Sequence, residues 1–275
     1  MKIGIIGVGV VGGAILEGLK IIDANLDIIG YDKYKNIGSF KKILETDILF
    51  VCVPTKFSEQ TNQYNKTELQ KVLNQLNDNK YSGIILIKCT VEPRVSQELA
   101  DNYELKIIHN PEFLSASTNI DDFVKQDHIV IGKTSNINDN DLKQITNFYS
   151  ELFPNAVQSI CNSTESECMK IFVNNYYSVK IQFCNELYLL CNKLNVEYDN
   201  VMQLMLKNKW IHPMHTKVPG TDGLLSYGGM CFPKDTNALL EVMKKENTSH
   251  EVLEACINER NKMRDDHVNV DLKKE

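Results

Sequence analysis

The chain has 275 residues, 43% of them hydrophobic, with 30 Lys and Arg against 36 Asp and Glu for a formal net charge of −6. That length buries about three quarters of the surface its unfolded chain exposes, enough for two domains or one large one. The mild acidic balance, with no basic face or Arg-rich run, argues against nucleic acid as a partner. The longest apolar run, ILFVCVP at 48–54, falls well short of the roughly 18 residues a membrane span needs. The N-terminal MKIGIIGVG runs straight into glycines without a signal-peptide cleavage region, so the sequence reads as soluble and cytoplasmic.

The first half alternates short apolar runs with amphipathic spacers. The runs are KIGIIG (2–7), LDIIGYD (26–32), DILFVCVP (47–54), GIILIKC (83–89), LKIIHN (105–110) and HIVIG (128–132). Continuous rather than alternating, they have the pattern of parallel strands covered on both faces, joined by right-handed crossovers into a doubly wound α/β sheet. GVGVVG at 7–12 follows the first run and opens a helix, as in a Rossmann dinucleotide-binding turn. Gly7, Gly9, Val11 and Gly12 form the turn that meets a pyrophosphate at the helix N-terminus. Asp32, twenty residues after Gly12, stands where a carboxylate accepts from the ribose hydroxyls, which favours NAD over NADP despite Lys33 and Lys35 nearby.

Thr55, Thr90 and Glu112 each follow a strand, at the sheet edge where ligands of open α/β folds bind. Thr55 and Thr90 read equally well as helix caps, and Glu112 as a loop acid. After about residue 160 the strand signal stops. Residues 163–194 read as one long helix, opened by a capping box of Thr164 and Glu167. Met169, Phe172, Val173, Tyr176, Phe183, Leu187, Leu190 and Leu194 follow helical spacing along it. Lys170 and Asn174, four apart, share a face able to hold an oxyanion or a sugar hydroxyl. Further helices start near Asp199 and cover roughly 235–246 and 249–264, while the tail VNVDLKKE reads as frayed. The division expected is a dinucleotide-binding Rossmann domain over 1–160 and a helical domain over 161–275.

The eight cysteines (Cys52, Cys89, Cys161, Cys168, Cys184, Cys191, Cys231 and Cys256) include no C-x-x-C pair, so they read as reduced thiols rather than zinc ligands or a disulfide framework. His212 and His215 have H-x-x-H spacing but read as loop histidines, and no metal is expected. Cys231 is different, because it lies in YGGMCFPKDTNAL at 227–239. Taken alone it reads as packing.

Taken with its surroundings, that segment closely resembles the nucleophile segment of the UDP-glucose/GDP-mannose dehydrogenase family. VPT (53–55), KCT (88–90), NPEFL (110–114), Lys170 with Asn174, and VLEACINERNK (252–262) also resemble family motifs, in the same order. The resemblance implies oxidation of a nucleotide-sugar C6 alcohol to a carboxylate with two NAD used in succession. It implies Cys231 as the nucleophile that forms a thiohemiacetal and then a thioester. It further implies Glu112 as general base, Asp235 placing the water, and Lys170 and Asn174 stabilising the oxyanion. The resemblance implies as well that Thr90 hydrogen-bonds the alcohol or water, that Thr55, Thr90 and Lys234 lie toward the cofactor, and that Glu112, Phe113, Leu114, Lys170, Asn174 and Gly228 contact the sugar. Lys234 and the start of the following helix would raise the thiolate fraction. Pairing of two copies through the 163–194 helix is also implied.

Three departures stand against that pattern. Ala116 replaces a second glutamate. The stretch before Cys231 lacks the arginine expected to reach a neighbouring subunit's substrate. The chain also stops where a connecting helix leads family members into another Rossmann-like domain, so it is a fragment, a two-domain enzyme, or one whose remainder another polypeptide supplies. Two other classes stay open: a relative of the β-hydroxyacid dehydrogenases, disfavoured by the complete GGMCFPKD string, and a non-catalytic dinucleotide-binding subunit that dimerises through the long helix.

Overall fold

The structure is a computed structural model that describes residues 1–266, so the reading of VNVDLKKE lies outside the described residues. The continuous apolar runs form strands whose alternate side chains enter opposite faces of one sheet. Its strands are β1 (Lys2–Ile6), β2 (Asp27–Tyr31), β3 (Ile48–Val51), β6 (Ile84–Ile87), β7 (Ile107–His109), β8 (His128–Lys133) and β9 (Val157–Asn162), while β4 (Phe57–Ser58) and β5 (Gln63–Tyr64) make a separate hairpin. The sheet order is β2-β1-β3-β6-β7-β8-β9. Its helices are α1 (Val10–Ile22), α2 (Phe40–Ile43), α3 (Thr67–Asp78), α4 (Val95–Tyr103), α5 (Asn119–Val124) and α6 (Asp139–Leu152). Ile3, Ile5, Phe50 and Leu86 face one core with Ile15, Leu19, Phe123 and Phe148. Ile6, Leu49, Val51, Ile85 and Ile87 face the other with Leu69, Leu73 and Leu99. Both faces are therefore dry, and a run with no alternation is the outcome.

The chain divides into two compact units. The first is Met1–Lys56 with Asn65–Lys170; the second is Phe57–Tyr64 with the described residues from Ile171 on. The expected division near residue 160 follows the end of the strand signal, whereas the first two turns of the long helix are counted with the sheet. The eight residues 57–64 belong with the helical part because Phe57 and Tyr64 pack with Ala238, Leu239 and Leu240. A hairpin with two-residue strands has no periodicity to read.

One pairing departs from the parallel expectation: β7 and β8 run antiparallel, with Ile108 opposite Lys133 and His109 opposite Gly132. HIVIG is buried on both faces whichever way it runs, so its pattern carries no direction. β9 also extends past the point where the strand signal stops, as an edge strand with Val157 and Ile160 largely exposed.

The second unit is helical: α7 (Ser163–Lys193, whose first turns belong to the first unit), α8 (Tyr198–Leu206), α9 (Phe232–Lys245) and α10 (Glu251–Met263). The capping box is not Thr164 with Glu167. Asn162 and Glu165 form it, the Glu165 amide donating to Asn162 Oδ1 and the Asn162 amide to Glu165 Oε2, each at 2.9 Å. Several cap-competent residues adjoin two glutamates here, and the helix starts one residue before Thr164. Glu167 is instead fully buried and accepts the amides of Arg94 and Ser96, each at 2.6 Å, so it caps α4 from a distance in sequence. Along α7, Ile171, Cys184 and Cys191 face the unit's cores. Phe172, Tyr176, Phe183 and Leu190 of the predicted stripe are 51%, 69%, 57% and 52% exposed.

Candidate functional site

The glycine turn lies where the strand order reverses, between β1 and β3, the place where open sheets of this topology bind ligands. Gly7 has φ +87°, and a Cβ on Gly12 would stand 2.0 Å from the Gly7 carbonyl oxygen, so the strand-to-helix turn closes only with glycine at both positions. The space beside Gly9 is open. α1 has no side-chain cap and no acidic residue in its first turn, which leaves its leading amides to a phosphate. Asp32 is anchored against this turn: its Oδ2 accepts the Val8 amide at 3.0 Å and its Oδ1 the amides of Tyr34 and Lys35. Lys35 Nζ reaches the Val8 carbonyl at 2.7 Å. Val11 is partly buried against the sheet core. In their chemistry, an uncapped helix start beside an open glycine and a pinned carboxylate, these residues fit an adenine dinucleotide.

Neither threonine caps a helix. Thr55 Oγ1 donates to the Thr90 carbonyl at 2.7 Å, while α3 and α4 have Lys66 and Arg94 at their N-caps. Glu112 is held by its own loop and by α7. Its Oε2 accepts the Leu114 amide at 2.6 Å, and Lys170 Nζ donates to its carbonyl oxygen at 2.5 Å and lies 3.3 Å from Oε1. Lys170 is buried rather than solvated, with the exposed Phe113 ring 5.2 Å from its ammonium, and Leu114 packs into the core.

Beneath this loop lies a buried network that sequence reasoning missed. Lys88 Nζ donates to Asn110 Oδ1 at 2.9 Å and to the Pro111 carbonyl at 3.2 Å; Tyr149 donates to the same Asn110 oxygen, and Asn110 Nδ2 donates to the Val130 carbonyl. Burial pulls the Lys88 ammonium down to about 8. In the sequence Lys88 showed only as a lysine closing an otherwise apolar strand and opening KCT, with Asn110 and Pro111 in NPEFL, and nothing there joined them. Nearby, burial pushes the Glu167 carboxyl up to about 7, against the hydrogen bonds it accepts at the start of α4.

In the second unit, Cys231 is exposed and occupies the N-cap position of α9, with Pro233 in the first turn. Asp235, two residues further on, is fully buried with three donors on its two oxygens. Tyr64 and Lys234 donate to Oδ1, each at 2.5 Å, and Asn174 Nδ2 donates to Oδ2 at 2.6 Å. Lys234 also lies 4.8 Å from the Tyr64 ring centroid. Asn174 and Asp235 are thus brought together as a pair, and Lys170 and Glu112 as another. Tyr64 had no sequence signal, since only the hairpin's pairing places it there. At Gly228, a Cβ would meet the Arg264 guanidinium at 2.3 Å. His212 accepts the Met214 amide through Nδ1, and His215 packs between the Tyr177 and Phe232 rings. No group of three or more His, Cys, Asp or Glu is arranged to hold a metal ion among the described residues.

The fold and the glycine turn define a Rossmann-type protein with a helical second part. Residues 35–152 match the family model of the UDP-glucose/GDP-mannose dehydrogenase family, NAD binding domain, and residues 164–262 match the same family's central domain. The chain belongs to the UDP-glucose/GDP-mannose dehydrogenase family. The first match begins after the glycine turn and Asp32, so those rest on their own geometry. A UDP-glucose 6-dehydrogenase of Rickettsia bellii is 28% identical over 227 residues, covering 79% of this chain and 50% of that protein. UDP-glucose 6-dehydrogenase YwqF of Bacillus subtilis is 27% identical over 228 residues, covering 79% and 49%. The chain therefore spans about half the length of the curated relatives it matches. Its fold is that of a UDP-glucose dehydrogenase from Pyrobaculum islandicum, with TM-score 0.79, 20% identity, and 95% of this chain and 68% of that one covered. A 3-hydroxyisobutyrate dehydrogenase of Mycobacterium tuberculosis shares the fold at TM-score 0.76 and 12% identity, covering 97% and 94%.

Proposed function

We propose that this protein oxidises the C6 alcohol of a nucleotide sugar to the carboxylate, using NAD and a covalent intermediate on Cys231. One observation carries the reading: Cys231 stands exposed at the N-terminus of α9, where a helix favours a thiolate, over a first turn fixed by the fully buried Asp235. Gly7, Gly9, Gly12 and Asp32 would hold NAD, two molecules of which in succession would supply the hydride acceptor for the two oxidations. Glu112 takes the proton of the C6 hydroxyl as the aldehyde forms, with Thr90 holding the reacting oxygen. Cys231 sulfur then adds to the aldehyde carbon, giving a thiohemiacetal whose developing oxyanion Lys170 and Asn174 stabilise. Loss of the second hydride leaves a thioester. Glu112, its first proton released to solvent, deprotonates a water that adds to the thioester carbon and expels the thiolate, releasing the acid and restoring the cysteine, while the buried Asp235 holds the first turn of α9.

Two copies pair along the exposed face of α7. The test is NADH formation with UDP-glucose, UDP-N-acetyl sugars and GDP-mannose, by the chain and by Cys231→Ala. NADH and acid formed from one of these by the chain, with acid formation abolished by the substitution, are the expected result. Turnover of 3-hydroxy acids but of no nucleotide sugar would favour the β-hydroxyacid reading, and NAD binding without any oxidation would favour a non-catalytic subunit.

A further inference from the structure

The loop that leads into Cys231 is held by two buried arginines, Arg260 within VLEACINERNK and Arg264 just beyond it, to which the proposed chemistry gives no role. Arg260, in the last turn of α10, and Arg264, just past its end, are 1% and 6% exposed. Arg260 Nε donates to the Tyr227 carbonyl at 3.1 Å, and Arg264 Nη1 to those of Leu225 and Ser226 at 3.2 and 3.5 Å. Their charges are met by Asp266, which both contact, and by Asp222, which Arg264 Nη2 reaches at 2.8 Å. Two buried cations and two carboxylates make a balanced set, the condition under which guanidinium groups stay buried.

Three successive carbonyls, 225 to 227, are thereby fixed, and Ser226 is held in the left-handed region at φ 59°. Only Gly228, Gly229, Met230 and Cys231 separate this clamp from the first residue of α9. Two of those four are glycines, so the turn has little stiffness of its own. The place a side chain on Gly228 would take is filled by the Arg264 guanidinium, which accounts for glycine there without any ligand.

We infer that Arg260 and Arg264 are positioning residues for the Cys231 thiol: they fix the chain on one side of the 228–231 turn while α9 fixes it on the other. The inference rests on Cys231 being the nucleophile, but its test does not need turnover. The full chain is alkylated with iodoacetamide across a pH series, and modification of the Cys231 peptide is followed by mass spectrometry. Three variants accompany it: Arg264→Met, Gly228→Ala, which crowds the guanidinium while keeping its charge, and Asp222→Asn, which removes one counter-ion. If the clamp sets the thiol at the helix N-terminus, the variants move the alkylation midpoint up toward about 8.5, the ordinary thiol value, and slow modification at neutral pH several-fold. Gly228→Ala and Asp222→Asn keep the test open if Arg264→Met does not fold. Wild-type midpoint and rate in the folded variants, even with a lowered melting temperature, would overturn the inference and leave the arginines purely structural. The catalytic reading fails by a different result, undiminished acid formation by Cys231→Ala.

Discussion

A carboxylate with no access to water needs donors for both oxygens, and Asp235 has an amide, a phenol and an ammonium. Tyr64→Phe removes one donor from this buried set and is expected to cost about 1–3 kcal/mol, read as a lower denaturant midpoint at unchanged slope. A midpoint equal to wild type would mean that the hydroxyl does not hold Asp235. Glu167 gives a pH-dependent counterpart. Its folded-state value is raised from 4.5 to about 7, so the native state keeps a proton that the unfolded chain releases. The stability this contributes is full below about 4.5 and is lost as pH rises through about 7, a change of about 3 kcal/mol. Glu167→Gln should flatten the stability profile across that window in pH-dependent urea unfolding. A slope unchanged from wild type would contradict it.

At the scale of elements, the six interior apolar runs were legible because burial on both faces leaves a continuous pattern. β9 was not, since an edge strand with exposed Val157 and Ile160 lacks that pattern, and the β4–β5 hairpin was too short to show one. α7 was legible in extent but not in its cap, because neighbouring Asn, Ser and Thr residues compete for the same role and only geometry selects Asn162. The residues of the candidate site that carry motif-like neighbours, such as Glu112, Cys231 and Asp235, were legible too. The roles of Lys88 and Arg260, although both stand within quoted motifs, and those of Tyr64 and Arg264 were not, because they come from partners tens or more residues away in the chain. The exposed apolar side chains of α7 lead to a prediction of their own. A row of Phe172, Tyr176, Phe183 and Leu190 on one helix exceeds the scattered apolar exposure normal for a monomer. Light scattering at micromolar concentration should give the mass of two chains, and Phe183→Asp with Leu190→Asp should give one. A monomer mass for the wild-type chain would contradict the pairing.

Asp32, pinned by three backbone amides, holds a fixed negative charge against a 2′-phosphate even with Lys35 beside it, so NAD should bind more tightly than NADP, and Asp32→Ala should narrow the difference by calorimetry. Equal affinities in the unmodified protein would remove the specificity while leaving the fold untouched. In the proposed function oxidation passes through sulfur. Cys231→Ala should keep NAD affinity and folding near wild type, since an exposed thiol contributes little packing. The most direct measurement is the mass of the Cys231 peptide after brief incubation with NAD and a nucleotide sugar that supports NADH formation, quenched in acid and compared with carboxylate release by Cys231→Ala. A sugar-derived mass on Cys231, and no carboxylate from the variant, is the predicted result; carboxylate formed by Cys231→Ala at the wild-type rate would contradict it.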